Sequence, residues 1–117
     1  MPKVAIVQES PVLLDRSKTI EKAVQLIEQA VSANAALVVF PEAFISGYPA
    51  WIWRLRPGGD WDTSESLHSR LLESAADIDA GDLAPLCDIA RKHQVTIVCG
   101  LNERDSDLSK ATLYNTC

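Results

Sequence analysis

The sequence predicts an α/β fold with a largely parallel β-sheet flanked by helices. Two apolar runs, at 3–8 and 35–40, are separated by a segment whose apolar residues recur every three or four positions. This strand–helix–strand order is typical of a right-handed βαβ unit, in which the two strands lie parallel. A third apolar run at 95–101 follows further helical segments, without a hairpin turn between the runs. We therefore expect the three strands in one sheet, with the first two adjacent or nearly so.

The first helix is predicted from about Ser17 to Ala33. Its apolar residues are spaced as one face of a helix, and they are Ile20, Ala23, Val24, Ile27, Ala30 and Val31. Asp15 or Ser17 is suited to cap the start of this helix, and Asn34 to the left-handed position just past its end. Pro41 should end the second strand, because proline has no N–H to donate to a neighbouring strand.

The later elements follow from the same kinds of signal. Glycine and proline mark turns, and apolar residues four apart mark helices. In chain order these signals predict a turn at 57–60, helices at about 62–76 and 82–93, a polar loop at 102–110 and a strand at 111–117.

Composition restricts the classes of function. The 117 residues, 47% hydrophobic and 23% charged, suit one soluble globular domain. A net charge of −5 argues against nucleic acid and anionic membrane surfaces as partners. No run approaches the roughly 18 apolar residues of a membrane span, and the N-terminus lacks a signal-peptide pattern. Three cysteines without close spacing predict neither a disulfide framework nor a metal site, and they fit a reducing cytoplasm.

The stretch 37–53, LVVFPEAFISGYPAWIW, concentrates the chemical signals of the chain. Glu42 directly follows the second strand, at the edge where open α/β sheets place their chemistry. Five of the chain's seven aromatic residues lie nearby, namely Phe40, Phe44, Tyr48, Trp51 and Trp53. A carboxyl group held among aromatic walls loses solvation, which would suit Glu42 to act as a general base. The alternative is a surface carboxylate at a strand–loop junction, which is the commoner situation for glutamate.

Other reactive residues have simpler explanations. Cys87 lies on the predicted apolar face of the third helix and Cys99 inside an apolar strand, so both are predicted to be small core residues. Cys117 is interpreted as a strand residue, because a nucleophile needs a positioned base and donors on both sides of it. His68 is expected at the edge of the core, and His93 at a helix end whose dipole favours a cation.

Several motifs resemble the nitrilase branch of the carbon–nitrogen hydrolase superfamily. Phe-Pro-Glu-Ala-Phe at 40–44, followed by Gly-Tyr-Pro at 47–49 and Trp-Ile-Trp at 51–53, is similar to the first catalytic segment of that family. Three further segments resemble the family's strand regions, at 4–8 (VAIVQ), 100–105 (GLNERD) and 113–116 (LYNT). The resemblance therefore spans the whole chain in order.

The resemblance implies a four-layer α-β-β-α sandwich and catalysis by Glu, Lys and Cys, in that chain order. In the family the Cys attacks the nitrile or amide carbon, the Glu acts as general base, and the Lys stabilises the charge that develops. The thioimidate or acyl-enzyme then hydrolyses to acid and ammonia, without a cofactor. Only Glu42 matches this set, because Lys110 precedes the Leu-Tyr-Asn-Thr motif and no cysteine is followed by Trp-Glu. Residues 1–117 would thus form the N-terminal third, truncated before the catalytic Lys and Cys.

The same resemblance places Tyr48 and Trp53 in the pocket for the acyl group and implies a homo-oligomer acting on a small nitrile or amide. The Gly-Tyr-Pro-Ala-Trp-Ile-Trp version favours a nitrilase or a cyanide-hydrolysing relative over an aliphatic amidase. Two other hypotheses stay open. One is a short, non-catalytic α/β module for association or small-molecule binding. The other is a distinct small enzyme that uses Glu42 with Cys99 or Cys117.

Overall fold

A computed structural model describes residues 1–117 and contains five strands and three α-helices. The strands are β1 (Lys3–Ile6), β2 (Ala35–Val39), β3 (Thr96–Val98), β4 (Leu101–Arg104) and β5 (Leu113–Thr116). The helices are α1 (Arg16–Ser32), α2 (Trp61–Ser74) and α3 (Ala84–His93), and a 3-10 turn covers Ala50–Trp53. None of the helices is both long enough and apolar enough to cross a membrane.

Strands β1, β2 and β3 form one sheet in that order, and both neighbouring pairs are parallel. The register places Ala5, Val38 and Ile97 side by side across the three strands. The prediction of a single sheet with β1 and β2 as parallel neighbours is confirmed. The crossovers through helices, in place of hairpins, are what make this direction possible.

Helix α1 begins and ends as its sequence signals predict. The Asp15 carboxylate accepts a hydrogen bond from the backbone N–H of Lys18, at 3.0 Å, and so caps the first turn. Asn34 follows the last turn with φ 64°, the left-handed conformation that asparagine tolerates. The helix therefore begins and ends within one residue of its predicted limits.

The core lies on one face of the sheet, under α1 and α3. Val38 of the central strand is fully buried there. It packs in one cluster with side chains of both helices and the loops, among them Ile20, Ala23, Ile27, Leu86 and Ile89. The opposite face of the sheet has no covering layer: Ile6 is 73% exposed and Val4 49% exposed. The three-stranded sheet is therefore covered by helices on one side only.

The prediction of one continuous strand at 95–101 is wrong. β3 ends at Val98, and after Cys99 and Gly100 the chain resumes as β4, which pairs with β5 as an antiparallel hairpin. The pairing partner changes at this point, because the Ile45 N–H donates to the Gly100 carbonyl at 3.1 Å. The predicted loop at 102–110 is correspondingly shorter, since residues up to Arg104 belong to β4.

Candidate functional site

Glu42 lies just beyond the carboxyl end of β2, the middle strand of the sheet. The strand's last contact with β3 is the Phe40 N–H, which donates to the Val98 carbonyl at 2.8 Å. Pro41 then ends the ladder, and Ala43 adopts φ 48°, which turns the chain sharply. This edge is where open parallel sheets hold their ligands. The predicted position of Glu42 at a strand end is thus what the structure shows.

Gly100 supports the Glu42 turn by having no side chain. A Cβ atom at this position would lie 2.6 Å from the Pro41 carbonyl oxygen, 2.7 Å from the Ala43 nitrogen and 2.8 Å from the Glu42 Cα. All three are backbone atoms, which cannot move aside as a flexible side chain does. The backbone that carries Glu42 therefore lies directly against the junction between β3 and β4.

The loop that follows Glu42 is buried and anchored. Ile45 and Ser46 are fully buried, and the Ser46 hydroxyl donates to the Ser74 carbonyl at the end of α2. The Asn102 side-chain amide, also buried, donates to the carbonyls of Ile45 at 3.2 Å and Gly47 at 2.9 Å. Buried carbonyls need such partners to offset the loss of water. The segment 42–47, which we call the glutamate loop, is thus fixed by α2 and β4.

The Glu42 carboxylate itself is exposed and contacts one side chain. The Asn115 amide of β5 donates to Glu42 Oε1 at 2.6 Å. This exposure contradicts the expectation that aromatic walls remove solvent from Glu42. Phe40 and Phe44 are buried in the core, with their ring centroids 5.0 Å apart.

Tyr48 and Trp53, the two residues proposed for a substrate pocket, lie together on the surface. Tyr48 is 45% exposed and Trp53 73% exposed, and the Trp53 indole N–H donates to the Tyr48 hydroxyl at 3.4 Å. A cleft of about 340 Å³ opens beside the same turn. Its lining includes Trp51, Tyr114 and Asn115, but neither Tyr48 nor Trp53. The cleft lined by Asn115, the residue that contacts Glu42, is therefore also lined by a different tryptophan, Trp51.

Asn102 and Asn115 belong to the candidate site, although the sequence did not single out either residue. They face each other in the antiparallel register of β4 and β5. Each lies in a segment noted for its family resemblance, at 100–105 and 113–116. An asparagine inside a short strand was the available signal, because asparagine is depleted in strands unless its amide has a partner.

The three cysteines are free and line one apolar groove of about 470 Å³ between α3, β3 and the hairpin. Burial, with a smaller contribution from the charge on Cys117, raises the pKa of the Cys99 thiol to about 12. The prediction that Cys87 is a core residue is wrong, because it is exposed. Helix α3 buries Leu86 and Ile89, and Cys87 lies beside that row on the side that opens into the groove.

No group of three or more His, Cys, Asp or Glu side chains is arranged to hold a metal ion.

Comparison with known proteins assigns the chain to a family. Residues 3–117 match the family model described as carbon-nitrogen hydrolase. This chain belongs to the carbon-nitrogen hydrolase family. The matched segment includes the glutamate loop and the hairpin that contacts it, so it contains all residues of the candidate site.

Curated relatives of this carbon-nitrogen hydrolase chain are nitrilases. An arylacetonitrilase of Aspergillus oryzae is 37% identical over 117 residues, covering 97% of this chain and 33% of the relative. An aliphatic nitrilase of Rhodococcus rhodochrous is 39% identical, covering 97% of this chain and 29% of the relative. A nitrilase of Pseudomonas syringae pv. syringae is 37% identical, covering 96% and 31%. The chain thus spans about a third of the length of the curated relatives it matches.

Proposed function

We propose that this chain is the N-terminal part of a nitrilase-type hydrolase, which converts a nitrile to a carboxylic acid and ammonia. Glu42 serves as its general base. The observation that carries the proposal is the placement of Glu42: a carboxylate beyond the carboxyl end of the central strand, on a backbone held by Gly100 and Asn102. The nitrilase names of the relatives support the reaction class.

The proposed chemistry needs two groups besides Glu42. A cysteine thiol transfers its proton to the Glu42 carboxylate while its sulfur bonds to the nitrile carbon, and the nitrile nitrogen is protonated to give a thioimidate. One water then releases ammonia and leaves an acyl-enzyme, and a second water releases the acid and restores the thiol. A lysine stabilises the developing charge. We place both the cysteine and the lysine outside residues 1–117, as the family resemblance implies, and no cofactor takes part.

The three cysteines of this chain are poor candidates for the nucleophile. Only a thiolate attacks efficiently, and a pKa of about 12 keeps Cys99 almost entirely protonated near neutral pH. Cys87 and Cys117 are exposed at the apolar groove, which lies around α3 and the hairpin and not at Glu42. None of the three makes a hydrogen bond to a candidate base.

The substrate pocket is proposed to form around the aromatic turn. Tyr48 and Trp53 supply exposed ring surface there, and the cleft beside Trp51 extends toward Asn115. Apolar walls with a few convergent polar groups are typical of small-molecule sites. This supports a nitrile as substrate, with a cyanide-hydrolysing relative or an amidase as the alternatives. The printed names of the relatives include both arylacetonitrilases and an aliphatic nitrilase, so both substrate types belong in the assay.

The complete enzyme is proposed to be a four-layer α-β-β-α sandwich that forms a homo-oligomer in the cytoplasm. Support for the second sheet comes from the uncovered face of the first, where Val4, Ile6 and Val98 are exposed. An apolar sheet face of this kind is normally covered. The three free cysteines support a reducing compartment.

The test is release of ammonia and carboxylic acid from phenylacetonitrile, adiponitrile and the matching amides. We expect turnover by a longer protein that continues this chain, and none by residues 1–117 alone, since loss of a catalytic nucleophile can cost on the order of a millionfold. Turnover by the short chain that survives purification and disappears in Cys99→Ala or Cys117→Ala would contradict the proposal. It would show instead that this chain is a small enzyme in its own right.

A further inference from the structure

The hairpin of β4 and β5 presents two asparagines to the glutamate loop. Asn102 and Asn115 are directly opposed in the antiparallel register, so their side chains emerge on the same face of the hairpin. The Asn102 amide contacts the far end of the loop, at Ile45 and Gly47. The Asn115 amide contacts the near end, at Glu42. One cross-strand pair thus holds both ends of the loop that carries the carboxylate.

The contact between Asn115 and Glu42 has an unambiguous direction. The Asn115 Nδ2 amide donates, and Glu42 Oε1 accepts. The separation between Asn115 Nδ2 and Glu42 Oε1 is 2.6 Å, slightly shorter than the roughly 2.7–2.9 Å of charge-assisted N–H···O bonds. The bond joins residues 73 positions apart, and Glu42 makes no other side-chain hydrogen bond or ion pair in the chain. Glu42 Oε2 is left free to accept a proton.

A neutral donor suits a general base better than a cation would. A lysine or arginine at this distance would favour the ionised carboxylate strongly and so weaken its tendency to take a proton. An amide can orient the carboxylate without adding a charge. Glu42 takes part in none of the six ion pairs of the chain, among which Arg104 pairs with Asp77 at 3.7 Å and Arg56 with Asp60 at 3.0 Å.

We propose that Asn115 is the positioning residue for Glu42, holding one carboxylate oxygen so that the other points at the proton to be transferred. This inference rests on the proposed role of Glu42 as general base. Asn115 lines the cleft beside Trp51, but in this scheme it contacts neither the reacting nitrile carbon nor the nucleophile. It acts through Glu42 alone, and Asn102, from the same cross-strand pair, fixes the backbone on which Glu42 stands.

The first test uses the 117-residue chain and observes the Glu42 side chain directly. Three-bond NMR couplings report how many rotamers a glutamate populates. Because Glu42 is exposed, it should average over several rotamers unless Asn115 holds it. We expect one dominant rotamer in the native chain and averaging in Asn115→Leu, which has a similar size but no donor. Thr116→Val is the matched control, because it removes a different hydrogen bond of the hairpin, from Thr116 to Glu103 at 2.7 Å. The inference is wrong if Glu42 behaves identically in Asn115→Leu and the native chain.

The second test uses a longer protein that continues this chain, with nitrile hydrolysis as the readout. We expect Asn115→Leu to lower kcat by roughly 10- to 100-fold with little change in KM, since small misplacements of a catalytic group cost up to about 10²-fold. We expect the same substitution to have almost no further effect when Glu42 is already Gln, because the two residues act as a unit. A full additional loss in the double variant would show that Asn115 acts independently of Glu42, and the inference would fail.

The two tests separate this inference from the proposed function. If Glu42→Gln alone leaves turnover unchanged, the general-base role fails, whatever the NMR couplings of Glu42 show. If Glu42→Gln abolishes turnover but Asn115→Leu leaves it intact, the base is correct and the positioning role of Asn115 is wrong.

Discussion

At the scale of single residues, the position of Glu42 could be predicted from the sequence, but its contacts could not. The sequence predicted its position, because a proline after an apolar run marks where a strand ends. It could not predict the surroundings, because those depend on tertiary packing, which buries Phe44 in the core and leaves Glu42 exposed. Nor could it show that Asn115, 73 residues away, would reach the carboxylate. Local signals determine where a side chain starts, and distant packing determines what it touches.

The cysteines also differ in what tertiary packing places around them, and this difference predicts their reactivity. Cys99 has a pKa raised to about 12, so its thiolate fraction at pH 8 is on the order of 10⁻⁴. We expect iodoacetamide at pH 8 to alkylate the exposed Cys87 and Cys117 while Cys99 stays unmodified, as read by peptide mass spectrometry. Labelling of Cys99 should increase as pH rises toward 12, because the reactive thiolate then forms. Unfolding in guanidinium is the control and should make all three react; equal labelling of Cys99 and Cys117 in the folded chain would contradict the assignment.

At the scale of elements, local sequence signals were sufficient for helices and insufficient for the break between β3 and β4. The caps and apolar spacing of α1 are contained within its own residues, so its limits could be predicted. Residues 95–101 read as one apolar strand because nothing local marks a break. The break follows from contacts with the glutamate loop, which lies more than 50 positions earlier in the chain, and Gly100 is the residue that permits them.

Gly100→Ala tests this account of the break. The added Cβ would meet three backbone atoms within 2.8 Å, and overpacking of this kind typically costs about 1–3 kcal/mol. We expect a lower midpoint of chemical denaturation. Gly59→Ala is the control, because a Cβ there meets only the flexible Arg56 side chain, at 3.3 Å or more. Equal midpoints for the two variants would mean that the glutamate loop does not rest on Gly100.

At the scale of the whole molecule, the chain is a half-covered sheet. The βαβ order in the sequence predicted which strands are neighbours. The strand register shows which residues share the open face: Ile6, Val39 and Val98 lie side by side across it. The match to the carbon-nitrogen hydrolase family covers residues 3–117 and so includes all three strands of this sheet.

The open face predicts that the isolated chain associates. An exposed apolar sheet face and an unpaired strand edge favour contact between copies. We expect sedimentation velocity at micromolar concentration to show dimers or larger species, and the double variant Ile6→Thr with Val98→Thr to shift them toward monomer. Leu108→Thr is the control, since Leu108 is 94% exposed but lies in the loop before β5. A stable native monomer that binds no hydrophobic dye would show instead that the domain is self-sufficient.

The central claim is that Glu42 is the general base of a nitrile hydrolase, and Glu42→Gln in a longer protein that continues this chain tests it most directly. The substitution keeps the size of the side chain and an oxygen for Asn115 to contact, but removes the proton acceptor. Loss of a general base typically lowers turnover by about 10²–10⁴-fold. We expect that loss with an unchanged circular dichroism spectrum, while Glu28→Gln, on the exposed side of α1, retains native turnover. Near-native ammonia release by the Glu42→Gln enzyme would contradict the claim.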